Sequence, residues 1–447
     1  MTDVSGVGGD NGPEGLVDVR VVEPAVLPSA SPALIAGMEV ADGPATQGLS
    51  PRGRRRVLTA STASWFLIGI CTLGLSPVYP NIAHDLGLTP SEFGLLLGLY
   101  TLVSGVLQIP LGAVADRVDL RRIIVVGLVM ATAAPILWAT APNFWFYAIG
   151  QVSMGVAIVC LQAGCHTALA KAYPVSKRSA ALSGLWVASS GGQAASLLLF
   201  GLAGGHFGWR AVALAVCWLP LLALPLVSTM PEVAAPDIKK SIKAVAIESR
   251  RYFRNARAIA VAGIAALIAG AAIATQFLIP FMLRAHHYGP GATGLLLIPL
   301  IVGGIVGSPA VGTLADRFGA TRCLVVCFAV GAAALAVIAA TGGELIFLAG
   351  CLFVLGVLTN GSQAVMIGLT ADLANQIGGI GTGAALGVTR LAQSLGPVVA
   401  PAITGFLFLQ VGSGLTLLVI SAAFLAACLV ALLALSRPLR LAASPSD

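Results

Sequence analysis

Apolar runs of about 20 residues recur along this chain, the length a helix needs to cross the hydrocarbon core of a bilayer. Twelve can be marked off. Six lie at 57–80, 91–114, 123–141, 144–170, 181–204 and 209–229. Six more lie at 257–282, 291–314, 323–341, 345–370, 381–407 and 412–436. The runs are rich in Leu, Ala, Gly and Val. They do not alternate polar with apolar residues, as the short strands of an outer-membrane barrel would. An all-α membrane protein of twelve transmembrane helices is therefore expected. Composition agrees, because only 10% of the 447 residues are charged, against roughly 25% in soluble domains.

The remaining segments set the organisation. Residues 1–52 hold Asp3, Asp10, Glu14, Asp18, Glu23, Glu39 and Asp42 among many Gly and Pro, and end in a basic stretch. They read as a disordered acidic tail. Six spans follow (53–229), then a linker (230–256) with Pro231, Pro236 and a run of cations, then six more spans (257–436) and a short tail (437–447). Lys and Arg favour the cytoplasmic side. With the N-terminus inside, the inner segments collect nearly all the cations, and the outer ones hold only Arg210 and Arg284. The expected placement is the plasma (inner) membrane, with both termini cytoplasmic. The net charge of +7 is on this reading a topology signal and not a mark of nucleic-acid binding.

One charged phrase is written twice. GAVADRVDLRR runs from Gly112 to Arg122, and GTLADRFGATR from Gly312 to Arg322, 200 residues later. Each falls in a short inner loop, after the second and the eighth span. Six spans separate them, so the halves enter the membrane the same way, a parallel repeat. The repeat extends to FYAIGQVSMGVAIVCLQAG (146–164) and FLAGCLFVLGVLTNGSQAV (347–365), in which Gly155 matches Gly356 and Gln162 matches Gln363. A carboxylate at such an elbow suits a neighbouring helix N-terminus, and glycine lets helices approach closely. Gly112, Asp116, Arg117, Arg121, Gly312, Asp316, Arg317 and Arg322 are thus expected to form paired gating elbows on the inner side.

With these motifs the chain resembles the major facilitator superfamily, over about 380 residues from Val57 to Ser436. The resemblance implies two pseudo-symmetric six-helix bundles and alternating access to a site near the midplane. It also implies that spans 1, 4, 7 and 10 line the cavity and that spans 2, 5, 8 and 11 face across it. Family members that export drugs carry an Arg four residues before the glycine matching Gly155; here that position is Gln151. The exporters' Gly-Pro pattern is missing from the fifth span, although Gly396-Pro397 occurs in the eleventh.

Charges inside spans are costly and usually functional. Arg390, in LGVTRLAQSLGP, lies about nine residues into the eleventh span, with Gln393 on the same helix face. No Asp or Glu lies well inside any span to neutralise it. A guanidinium so placed is suited to grip a carboxylate or phosphate with two hydrogen bonds. Asn360, Gln363, Gln162, Gln276 and Gln193 join it as expected substrate-binding residues. For coupling, the titratable candidates are His166 near the inner end of span 4 and Asp85 at the outer mouth. Most of the tryptophans are read as interfacial anchors.

The leading expectation is a secondary transporter of a small organic solute, an organic anion or metabolite, with proton coupling left open. Its partners would be that solute, the lipid bilayer and protons, and the protein would work as a monomer. Efflux of drugs or hydrophobic compounds by proton antiport is the alternative. A non-transporting receptor would want a folded soluble domain, and none is written. No catalytic constellation and no P-loop appear, so neither enzyme activity nor ATP as energy source is expected. Cysteine spacing suggests no metal site, and no cofactor is called for.

Overall fold

The structure is a computed structural model that describes residues 49–72, 74–115, 118–231, 247, 250–342, 344–377 and 382–435. The acidic tail up to residue 48, most of the linker and the C-terminal tail lie outside the described residues, as do Asp116 and Arg117 of the first elbow. The described chain is helical throughout. Its helices are α1 (Pro51–Thr72), α2 (Tyr79–Asp85), α3 (Pro90–Ala115), α4 (Leu120–Ala139), α5 (Phe144–Ala172) and α6 (Val175–Phe207). There follow α7 (Trp209–Val216), α8 (Leu224–Ser228), α9 (Ala256–Ala285), α10 (Pro290–Phe318), α11 (Ala320–Ala340), α12 (Leu345–Ile377) and α13 (Thr382–Leu435).

Eleven helical stretches among the described residues are long and apolar enough to span a membrane. The last, α13, runs for 54 residues but is two helices that meet at Gly412, where φ is 80° and ψ 177°. That backbone suits a residue without Cβ. At a rise of 1.5 Å per residue the stretch is about 80 Å long, far more than one bilayer crossing. Taken as two helices, it brings the count to the expected twelve.

Two spans differ from their expected form. The first was expected at 57–80, but α1 begins at Pro51 and stops at Thr72, followed by a short 3₁₀ turn at Ser76–Val78 and then α2. The sixth, expected at 209–229, is α7, a 3₁₀ turn at Leu219–Ala223 and α8. In each case proline removes a backbone donor and crowds the preceding turn: Pro77 and Pro80 in the first, Pro220 and Pro225 in the sixth.

The packing repeats. In the first set of spans α1 lies against α6, α3 against α5, and α4 against α5 and α7. In the second, α9 lies against α13, α10 against α12, and α11 against α12 and α13. Two seams join the sets, α3 with α13 and α6 with α10. Glycines show the directions. Gly94 and Gly98 face Pro401 and Val398, and Gly201 faces Pro290, so both seams are antiparallel. Gly69 faces Ser189 and Gly74 faces Ser196, so α1 and α6 run parallel. It follows that α3 and α10 both end on the face where α1 begins. Asp119 caps α4, its side chain accepting from the Arg121 amide at 3.1 Å.

Candidate functional site

A cavity of about 360 Å³ lies where the two sets of spans meet. Its walls divide by chemistry. Helices α2 to α6 contribute one aromatic ring each: Tyr79, Tyr100, Trp138, Tyr147 and Trp186. From the other side come the amides Gln276 of α9, Asn360 and Gln363 of α12, and Gln393 of α13, together with one ring, Phe277 of α9. Gln151 and Gln193 add amides on the aromatic side. The lining draws on spans 1, 4, 7 and 10, as the resemblance implied, and equally on spans 2, 5, 8 and 11.

Arg390 lines a smaller pocket that shares Ala269, Gln363 and Gln393 with the main cavity. Its Nη1 donates to Gln393 Oε1 at 3.1 Å. Among the described residues no carboxylate lies within ion-pair distance of it; the one ion pair recorded there is His84 with Asp85, at 3.8 Å. No Asp or Glu lines either cavity among the described residues. The i, i+3 spacing that put Arg390 and Gln393 on one face has become a direct contact. Among the described residues it is the one hydrogen bond that the guanidinium fork makes.

Of the other expected binding residues, Gln363, Gln393, Gln276, Asn360 and Gln193 face the main cavity together. Gln162 lines neither cavity. His166 also stands outside the main lining. Its ring stacks on Trp65 at 5.3 Å with planes 4° apart, and Trp186 leans on both rings, 6.1 Å from His166 and 5.4 Å from Trp65. His166 Nε2 and Trp65 Nε1 are both buried, and neither has a hydrogen-bond partner among the described residues. Asp85 is remote from this group. It accepts a hydrogen bond from Trp209 Nε1 at 2.8 Å and so ties the end of α2 to the start of α7.

Toward the Asp85 face the cavity ends in a cluster of rings from both sets of spans. Phe93 lies 5.3 Å from Tyr79, 6.0 Å from Tyr147 and 6.5 Å from each of Phe277 and Phe281. Phe281 in turn meets Phe408 at 6.3 Å. On the opposite face Asp316, Arg317 and Arg322 are exposed and make no ion pair among the described residues. Arg121 is half-buried, its Nε without a partner. A Cβ added at Gly312 would meet nothing within 4 Å, so the close approach expected there is absent in this conformation. Gly112 lies on α3. The close approaches lie mid-span, at Gly98, Gly303, Gly307 and Gly396.

The tryptophans correct the sequence reading in part. Trp145 and Trp218 are exposed, as interfacial anchors should be, but Trp65, Trp138 and Trp209 are buried. Trp186 and the three cavity tyrosines were not singled out at all. An aromatic residue in a span serves equally as anchor, core or lining, and spacing alone does not say which.

Known proteins agree with this architecture. The sequence model described as "Major Facilitator Superfamily" matches residues 58–382 and 266–447. A gentisate transporter of Corynebacterium glutamicum is 25% identical over 376 residues, 79% of this chain and 82% of that protein. A gallate transporter of Pseudomonas putida is 27% identical over 151 residues; the match spans only 33% of either chain. The multidrug efflux protein YfmO of Bacillus subtilis is 25% identical over 375 residues, 77% of this chain and 87% of its own. Among solved structures, an inward-facing, occupied bacterial homologue of the lysosomal transporter Spinster superposes with a TM-score of 0.71 at 17% identity, covering 86% of this chain and 97% of the other.

Proposed function

This chain belongs to the Major Facilitator Superfamily, and from that premise we propose that it carries a small organic anion across the membrane by alternating access. A membrane transporter of this family binds a small-molecule substrate; the sign of the charge is what the site adds. The observation that carries the reading is Arg390. It is a guanidinium within a span, hydrogen-bonded to Gln393 and unmatched by any carboxylate among the described residues. Such a charge is expensive in a membrane, and an anionic ligand would offset it with two parallel hydrogen bonds. Two relatives are named as transporters of gallate and gentisate, which supports the same sign.

In this reading residues 53–229 and 257–436 are the two rocking bundles, and the basic face that bears the elbows is cytoplasmic, in the plasma membrane. The exposed Asp316–Arg317 elbow and the rings clustered around Phe93 then describe an inward-open state, sealed on the Asp85 side. Breaking that seal has a predicted effect. With Phe93→Ala, a cysteine placed at Leu97 in the cavity wall is expected to react several-fold faster with an impermeant maleimide added on the Asp85 side. The eight native cysteines are buried or half-buried, so their background is low.

His166 is the proposed proton site. A carboxylate held by Arg390 and a proton on His166 carry opposite charges, so each would favour the other's binding. Reconstitution in liposomes tests both parts. Gallate, gentisate, benzoate and succinate, with ethidium as the cation, are offered to protein-containing and empty vesicles that hold a pH indicator. Uptake of anions above the empty vesicles, with acidification of the lumen, is the expected result. Uptake of ethidium alone would favour the efflux reading, which YfmO among the relatives supports.

A further inference from the structure

The two walls of the cavity differ in more than polarity. Aromatic residues are 6% of the chain, yet five consecutive elements, α2 to α6, each place one ring in this lining. Apolar packing alone does not call for that. Aliphatic side chains supply most of the buried core, and a solute without a flat face would be held equally well by them. Opposite these five rings stand a single ring, Phe277, the amides of Gln363 and Gln393, and the guanidinium of Arg390 in the adjoining pocket. A ligand held by both walls needs a π face at one end and a negative charge at the other.

Trp186 is the ring best placed to supply the stacking surface. It is 45% exposed and lines the cavity, whereas Trp65 behind it is 6% exposed. Trp65 stacks on His166, and Trp186 leans on both, so three helices hold the exposed indole in place. A surface held in this way costs little entropy when a ring stacks on it.

We infer that the site selects aromatic carboxylates: the ring stacks on Trp186, and the carboxylate is held by Arg390 from the other set of spans. The inference rests on the anion reading and narrows it. Such a ligand bridges the two walls, so its binding is felt by both moving bodies. Stacking of this kind is worth about a three- to tenfold gain in affinity over an equally hydrophobic ligand without a π system.

The test is calorimetric titration of the purified full-length protein with benzoate and with cyclohexanecarboxylate, at a pH where both are ionised. The two match in charge and size and differ in the π face. Benzoate is expected to bind about three- to tenfold more tightly. Trp186→Leu is expected to remove that preference, bringing the affinities of the two acids within about twofold of each other, and Trp186→Phe to keep most of it. An unchanged thermal melt shows that each variant is folded. Equal binding of the two acids by the wild type, or a preference that survives Trp186→Leu, overturns the aromatic inference and leaves the anion reading standing. Binding of neither acid, with ethidium bound instead, overturns both.

Discussion

Arg390→Ala is expected to weaken binding of benzoate or gentisate about 100-fold and to bring transport close to the level of empty vesicles. The size follows from the chemistry. A carboxylate on a guanidinium makes two charge-assisted hydrogen bonds, each worth about 1.5–3 kcal/mol where water is excluded, and about 1.4 kcal/mol is a tenfold change in affinity. Arg390→Lys keeps the charge but loses the planar fork, so an intermediate loss of about tenfold is expected. A purely structural Arg390 would behave differently. It has Gln393 as its hydrogen-bond partner and no counter-charge among the described residues. Removing a charge whose desolvation is uncompensated relieves the folded state. The ligand-free Arg390→Ala protein is therefore expected to melt at or above the wild-type temperature while failing to bind. A fall in melting temperature with binding intact would assign Arg390 to the scaffold and remove the anion reading.

Much of the fold was legible because the bilayer imposes one strong rule, a length of apolar chain per crossing. That rule recovered ten of the spans nearly as they are built. It failed where backbone chemistry interrupts an apolar run. Pro77 with Pro80, and Pro220 with Pro225, split the first and sixth spans into helix, 3₁₀ turn and helix, although hydropathy runs on through both. Gly412 works the other way: φ of 80° turns the chain with almost no polar loop, so the boundary between the last two spans is marked by one residue.

The site was legible where its signal was polar and silent where it was aromatic. Arg390, Gln393, Gln363, Asn360, Gln276 and Gln193 stand out in an apolar sequence, and the structure brings them around adjoining cavities. Gln162 carries the same letter and lines neither, because a helix has a back as well as a front and periodicity is weak when all faces are apolar. Trp186 and the cavity tyrosines were hidden because membrane aromatics have three ordinary roles. His166 was placed near the inner end of its span. The structure adds what a sequence does not contain, the stack on Trp65 and a buried nitrogen without a partner.

Gly98 offers the second large effect, and its sign runs against local propensity. Alanine is about 1 kcal/mol better than glycine inside a helix, so Gly→Ala at an open helical position should be neutral or stabilising. Gly387 and Gly312 are such positions, since a Cβ there would meet nothing within 4 Å. At Gly98 the Cβ would run into the backbone of Val398 on α13, and a carbonyl on a facing helix cannot rotate away as a side chain could. One turn earlier Gly94 faces Pro401 and Ala402, and Ser91 Oγ donates to the Ala402 carbonyl at 3.0 Å. This seam joins the first set of spans to the second, and its two backbones approach through small residues, the packing that membrane helices use in place of a hydrophobic drive. Overpacking of a core costs about 1–3 kcal/mol, which corresponds to a melting shift of several degrees. Gly98→Ala is expected to lower the melting temperature by about that amount, and Gly98→Val to reduce uptake of gentisate below about a tenth of wild type by holding α3 and α13 apart. Gly387→Ala should leave both readings unchanged or raise the melting temperature slightly. If Gly98→Val transported normally, the α3–α13 seam would not be the surface on which the two sets of spans turn.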